Sequence, residues 1–227
     1  MLQTGLYHAV FWRVEQDRAK VPFVEGQQRV VMPKVKAPPM AVASADVREK
    51  ILAKARELFY EQGVRAVGVD LVVERAGVAK TSLYRYFGTK DALVAAFLER
   101  EDLDFWKSWD EVAQAHRDDP HGELEAQLCW IGERANQPAY RGCPQINVAA
   151  EFPEAAHPAR KVAKAHKREL RARLKALAQR LGHPTPDVLA GQLAVLINGA
   201  FVSTSIFERD EAVSLLQNAA RSLLRSR

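Results

Sequence analysis

The chain has 227 residues, of which 48% are apolar and 27% charged, with a net charge of +5. This length suits one large domain or two small ones, and the composition excludes a wholly disordered or collagen-like chain. Two cysteines, Cys129 and Cys143, are too few for a disulfide scaffold, Leu193 to Ile206 falls short of the ~20 residues of a membrane span, and Gly5 to Trp12 has no basic residues before it, so the chain is expected to be cytoplasmic and reduced.

Residues 1–45 show no helical period, and Pro33, Pro38 and Pro39 are ill suited to a helix. They are expected to form a disordered extension, an over-long start with Met40 as the true initiator, or a functional arm. From Asp46, Val47, Ile51, Leu52, Ala55, Leu58 and Phe59 recur on one helical face. Ser44 or Asp46 is the expected N-cap, and Gly63 the stop. A second helix, Val69–Ala76, ends at Gly77. A third, Lys80–Phe87, ends at Gly88, with Leu83 and Phe87 on one face. The later predicted helices are Lys90–Ala115, Gly122–Asn136, Gln145–Glu151, Pro158–Leu181, Pro186–Phe207 and Asp210–Arg225, separated by proline- and glycine-containing stops. No stretch alternates with period two, so the fold class is all-α.

The second and third helices, joined by Gly77-Val78-Ala79, make a helix–turn–helix in which glycine supplies the positive φ of the corner. The run AGVAKTSLYRYFGTKDAL, with Leu58-Phe59, Gly63, Val69 and Glu74-Arg75 in register before it, resembles the TetR family of transcriptional regulators over Val47 to Leu93. The resemblance implies a helix–turn–helix domain on operator DNA over residues 46–92. It implies a C-terminal domain over 93–227 that binds a small effector and forms a homodimer through its last two helices. The function implied is a repressor released from a palindromic operator by a small molecule, with no cofactor and no catalysis. One departure is Val67-Gly68-Val69, where the family often has a hydroxyl residue. The side-chain cap is missing, and a backbone amide must serve.

Residues 1–92 carry 15 Lys and Arg against 10 Asp and Glu, whereas residues 93–227 carry 18 of each, so the excess positive charge sits where DNA would be met. On the third helix, Lys80, Thr81, Ser82 and Arg85 lie on or beside the face opposite Leu83 and Phe87. A recognition helix offers such residues to base edges, and Arg can fork onto guanine. Tyr84 and Tyr86 can reach phosphate or serve as packing aromatics. Lys90, at the start of the next helix, is a candidate phosphate contact.

Candidate pocket residues are Phe105, Trp106, Trp109, Trp130, Gln145 and Asn147, aromatic and amide groups on helices that must bundle. The stripes Leu189, Leu193, Leu196, Ala200 and Leu216, Ala219, Leu223 predict the dimer interface. Histidine spacing fits no metal motif. The cysteines are expected to be buried thiols, with redox or electrophile sensing as the alternative. The strongly basic helix from Pro158 is read either as a solvated face or as an attractor of an acidic effector or the DNA backbone. The rival functions are an all-α enzyme using an acid–base pair at Glu151 and His157, and a helical dimer that binds only proteins.

Overall fold

A computed structural model describes residues 40–203, 206 and 211–225, with side chains described from residue 46 onward. The described elements are all helical: α1 Met40–Gln62, α2 Val69–Ala76, α3 Lys80–Phe87, α4 Lys90–Ala115, α5 Pro120–Ala135, α6 Pro144–Glu151, α7 Pro158–Arg180, α8 Pro186–Val202 and α9 Glu211–Arg225. None of them is long and apolar enough to cross a membrane.

Three helices match their expected bounds because both ends are written locally. α2 ends where Gly77 turns left-handed at φ 66°, and the Val78 amide donates to Val73 O at 3.1 Å, closing the corner. α3 ends at Gly88, and α4 starts where the Thr89 hydroxyl accepts the Ala92 amide. Elsewhere the bounds need correction. α1 begins at Met40, so Ser44 and Asp46 lie inside it rather than capping it. α5 begins at Pro120, with Asp119 as its cap accepting the Gly122 amide, and ends at Ala135. α6 begins at Pro144, α7 ends at Arg180, and α9 begins at Glu211. α8 stops at Val202 rather than Phe207; Phe207 lies outside the described residues. Prolines at the first helical turn explain the early starts of α5 and α6, since their missing amide costs nothing there. Of the extension expected over residues 1–45, Met40 to Ala45 belong to α1, which corrects that part, and residues 1–39 lie outside the described residues.

The apolar side chains gather into two cores. The first joins α1, α2 and α3 through Ile51, Leu58, Val72, Leu83 and their neighbours, and takes in Leu93 to Leu98 of α4. The second joins α4, α5, α7, α8 and α9 through Phe105, Leu128, Leu174, Leu193 and Leu216. One helix therefore serves both: α4 gives its first turns to one core and its middle to the other. The expected boundary at residue 92 falls inside a single compact unit, Pro38–Arg227, and the two cores part within α4 between Leu98 and Phe105.

Candidate nucleic-acid interface and regulatory core

α3 is anchored by two side chains and free along the rest. Leu83 is fully buried and Phe87 nearly so, with the Arg48 guanidinium 5.1 Å from the Phe87 ring centre. Lys80, Thr81, Tyr84 and Arg85 are exposed, and Ser82 is half-buried beside them. Tyr84 stands 46% exposed, which makes it the prominent aromatic of this surface. Tyr86 is half-buried against the first core and serves as a brace: Arg85 Nη2 donates to its hydroxyl at 2.8 Å, and the guanidinium lies 4.8 Å from its ring centre. Lys80 pairs with Asp70 of α2 at 2.7 Å, and that carboxylate holds its pKa above the ordinary lysine value. At the α2 N-terminus Gly68 makes no side-chain cap, as the departure at Val67-Gly68-Val69 implied.

Lys90, the expected phosphate contact, is half-buried at the start of α4. Its Nζ donates to Val64 O at 2.7 Å, and burial lowers its pKa. The same turn is gripped from the other side by Glu151, whose carboxylate accepts the Val64 amide at 3.0 Å and the Arg65 amide at 2.7 Å. Thus one short turn between α1 and α2 is held by α4 through its carbonyl and by α6 through its amides. This also removes Glu151 from the acid–base pair suggested by sequence. His157, the other member, is committed as well: it caps α7 by accepting the Ala159 amide and stacks 3.9 Å from the Phe152 ring. A further tie runs from α1 to the opposite end of α6. The Tyr60 hydroxyl donates to Gly142 O at 3.1 Å and accepts the Arg141 amide at 2.8 Å.

Behind α6 lies a partly open cavity of about 10 Å³, walled by Phe105, Tyr140, Cys143, Gln145, His166 and Phe201 among others. Of the predicted pocket residues, Phe105 and Gln145 line it. Trp106, Trp109 and Trp130 pack around Phe105 at ring-centre distances of 4.9, 6.2 and 5.1 Å, so they form the wall behind it. Asn147 does not line it; its Nδ2 donates to Arg141 O at 2.8 Å. His166, missed by sequence reasoning, is 2% exposed, with Nδ1 2.6 Å from the Asp102 carboxylate, which also accepts the Trp106 indole. Burial holds its pKa below the ordinary histidine value. No local sequence signal marks His166 or Tyr60, because their partners lie 64 and 82 residues away.

The dimer stripes need the plainest correction. Leu189, Leu193, Ala200 and Leu216 are buried inside the second core of their own chain, and Leu196, Ala219 and Leu223 are only partly buried. α8 has a second apolar face, however. Val188, Val195 and Val202 stand 56, 72 and 56% exposed, with Leu215 of α9 43% exposed. A Cβ placed on Gly191 or Gly199 would meet nothing within 4 Å. The basic helix α7 is mostly tied down: Arg160 donates to the Ala149 and Phe152 carbonyls, Lys175 pairs with Asp187, and Arg180 pairs with Glu123. Its Lys161, Lys164, Arg168 and Arg171 remain exposed.

The profile of the bacterial regulatory proteins, tetR family, matches residues 51–97. The solved structure of sav143, a TetR-type transcriptional regulator from Streptomyces avermitilis, superposes with a TM-score of 0.64 and 32% identity, over 77% of this chain and 98% of that one. The transcriptional activator FasR of Mycolicibacterium smegmatis is 42% identical over 53 residues, which are 23% of this chain and 24% of FasR. The transcriptional repressor NemR of Escherichia coli is 27% identical over 110 residues, which are 47% of this chain and 54% of NemR. The chain thus spans about a quarter to about half the length of the first curated relatives it matches.

Proposed function

This chain belongs to the TetR family of bacterial regulatory proteins, and from that premise we propose that it is a cytoplasmic, dimeric transcriptional repressor released from a palindromic operator by a small molecule. The observation that carries the reading is α3: its inward face is fixed by Leu83 and Phe87, and its outward face offers Lys80, Thr81, Tyr84 and Arg85. A helix so presented enters the major groove, where these side chains meet base edges and phosphates. Tyr86 braces Arg85, and Lys90 holds the turn before α2, so both position the reading helix.

The outward face of α8, with Leu215 and the partly buried Leu196, Ala219 and Leu223, is the surface for a second copy. A two-fold interface uses one patch twice, and exposed valines beside open glycines let two such helices approach closely. The cavity behind α6 holds little more than a water, so an effector enters there only as the helices around it part. Movement there reaches the DNA-binding helices by two routes: α4, shared between the cores, and α6, whose two ends are tied to α1 through Tyr60 and to the α1–α2 turn through Glu151. A ligand that prefers one arrangement of these helices shifts the spacing of the two copies of α3.

The test is selection from a random duplex library. The full chain should enrich a two-fold symmetric sequence, and its affinity should fall steeply as salt rises. A Thr81→Ala/Arg85→Ala variant with an unchanged melting curve should lose that enrichment. No enrichment by the wild-type chain would overturn the reading.

A further inference from the structure

One carboxylate stands on the surface that α3 turns outward. Asp70, in the first turn of α2, reaches across the corner and takes Lys80 Nζ at 2.7 Å. Its side chain is 79% exposed and that of Lys80 50%. An ion pair so open to water adds little to stability. Asp70 also favours the α2 N-terminus from where it stands, but that service does not require Lys80. The pair therefore matters for whatever approaches the surface, and a carboxylate placed there repels a polyanion.

Lys80 is the first residue of α3, and the N-terminal residues of a recognition helix are the ones that meet base edges. An unpaired lysine is a compact charge on a flexible stem, drawn to phosphate wherever phosphate is within reach. Asp70 changes both properties: it offsets the charge and fixes the direction of the stem. An ammonium has three N–H donors. One is spent on Asp70, which leaves two. In the major groove guanine presents two acceptors, O6 and N7, and no donor. Adenine sets an amino group beside its N7, thymine offers O4 beside a methyl group, and cytosine presents a donor. Guanine is the base whose edge matches the two remaining donors.

We infer that Lys80 reads a guanine in each half-site, with Asp70 as the positioning residue that turns its ammonium from phosphate to the base edge. This rests on the proposed function and adds to it a base pair and a residue that aims the reader. Asp70 touches no base; it acts through Lys80. Removing its charge has two opposite effects. The freed ammonium swings to the nearest phosphate, so every duplex is bound more tightly. The guanine loses its reader, so the preference for G·C at that position fades. A side chain that only supported α2 would weaken all duplexes alike when replaced.

The test uses the full chain and the two-fold operator it selects from random duplexes, measured against every single-base variant and against an unrelated duplex. Lys80→Met should lower the preference for G·C about tenfold at one position in each half-site. Asp70→Asn should lower it about as far at that same position. The same variant should bind the unrelated duplex more tightly, with a salt dependence steeper by up to about one per subunit. Asp70→Glu, which keeps a carboxylate, should restore most of the preference. A uniform loss in Lys80→Met, an A·T pair at the position it affects, or an unchanged preference there in Asp70→Asn overturns the inference and leaves the proposed function standing. A wild-type chain that selects no symmetric sequence removes the proposed function, and this inference with it.

Discussion

The helix–turn–helix and α8 answer the same question in opposite ways. α2 and α3 are eight residues each, and each has a single buried face: Val72 and Val73 on one, Leu83 and Phe87 on the other. Their polar residues have nowhere to go but outward. α8 is apolar nearly all round, so Leu189, Leu193 and Ile197 face the core while Val188, Val195 and Val202 face out. A short amphipathic helix names its own inside. A helix that is hydrophobic on every side must serve two partners, and its pattern does not say which face meets which.

The largest effect that sharpens this contrast comes from placing one charge on each face of α8. Leu193→Glu buries an unpaired carboxylate in the second core and should remove more than about 4 kcal/mol of stability, enough to abolish a cooperative melt followed by circular dichroism. Val195→Glu, two residues away, should retain helicity and sediment as a monomer. A Val195→Glu dimer would show that the outward face is not the interface.

The legible parts of this molecule were those written within a few residues. Gly77 and Gly88 end α2 and α3, Thr89 caps α4, and Val78 packs beneath the corner, all within 21 residues of Val69. The missed parts are contacts across long separations. Glu151 looked like half of an acid–base pair because its true partners, the Val64 and Arg65 amides, are 87 and 86 residues away. The bond from Lys90 to Val64 O spans 26 residues, and no local spacing announces it. The stripe expected at the dimer interface mixes residues buried in the chain's own core, Leu189, Leu193, Ala200 and Leu216, with the partly buried Leu196, Ala219 and Leu223. Of the six candidate pocket residues, Phe105 and Gln145 reach the cavity, since spacing reveals which residues are apolar but not which line a gap.

The next largest effect concerns the joint between the two regions. Glu151→Ala leaves two turn amides without their carboxylate, and hydrogen bonds to a charged acceptor contribute about 1.5–3 kcal/mol each. Denaturant melts should show a loss of about 3 kcal/mol, the lower limit for the two bonds together, because water reaches the exposed Arg65 amide. Glu151→Gln keeps one acceptor and should fall between. An unchanged midpoint for Glu151→Ala would mean that the turn does not depend on α6.

pH separates the two cores by a smaller amount. His166 has its folded pKa depressed by burial, so the unfolded chain takes up a proton where the folded chain does not. Its contribution is intact above the ordinary histidine value and is lost as pH falls below about 6.5 toward the folded value, with a slope of at most about 1.4 kcal/mol per pH unit for one proton. His166→Gln should flatten the acid limb of the stability curve between those limits. A limb unchanged by this substitution would assign the pH dependence elsewhere.

Smaller again is Lys90→Ala. Loss of the bond to Val64 O should cost about 0.5–1.5 kcal/mol of stability. The salt dependence of DNA binding should stay unchanged, because the ammonium is spent on the turn. A slope lowered by about one per subunit would show instead that Lys90 reaches phosphate, as the sequence alone suggested.

The central claim is that α3 reads sequence while its surroundings only position it. Binding of Arg85→Ala, measured against a selected operator and each of its single-base variants at two salt concentrations, tests this most directly. The account predicts a loss of about 1–3 kcal/mol confined to one base position in each half-site, with discrimination relaxed there and preserved elsewhere. An equal loss across all variants would contradict it and leave Arg85 as a clamp on the DNA backbone.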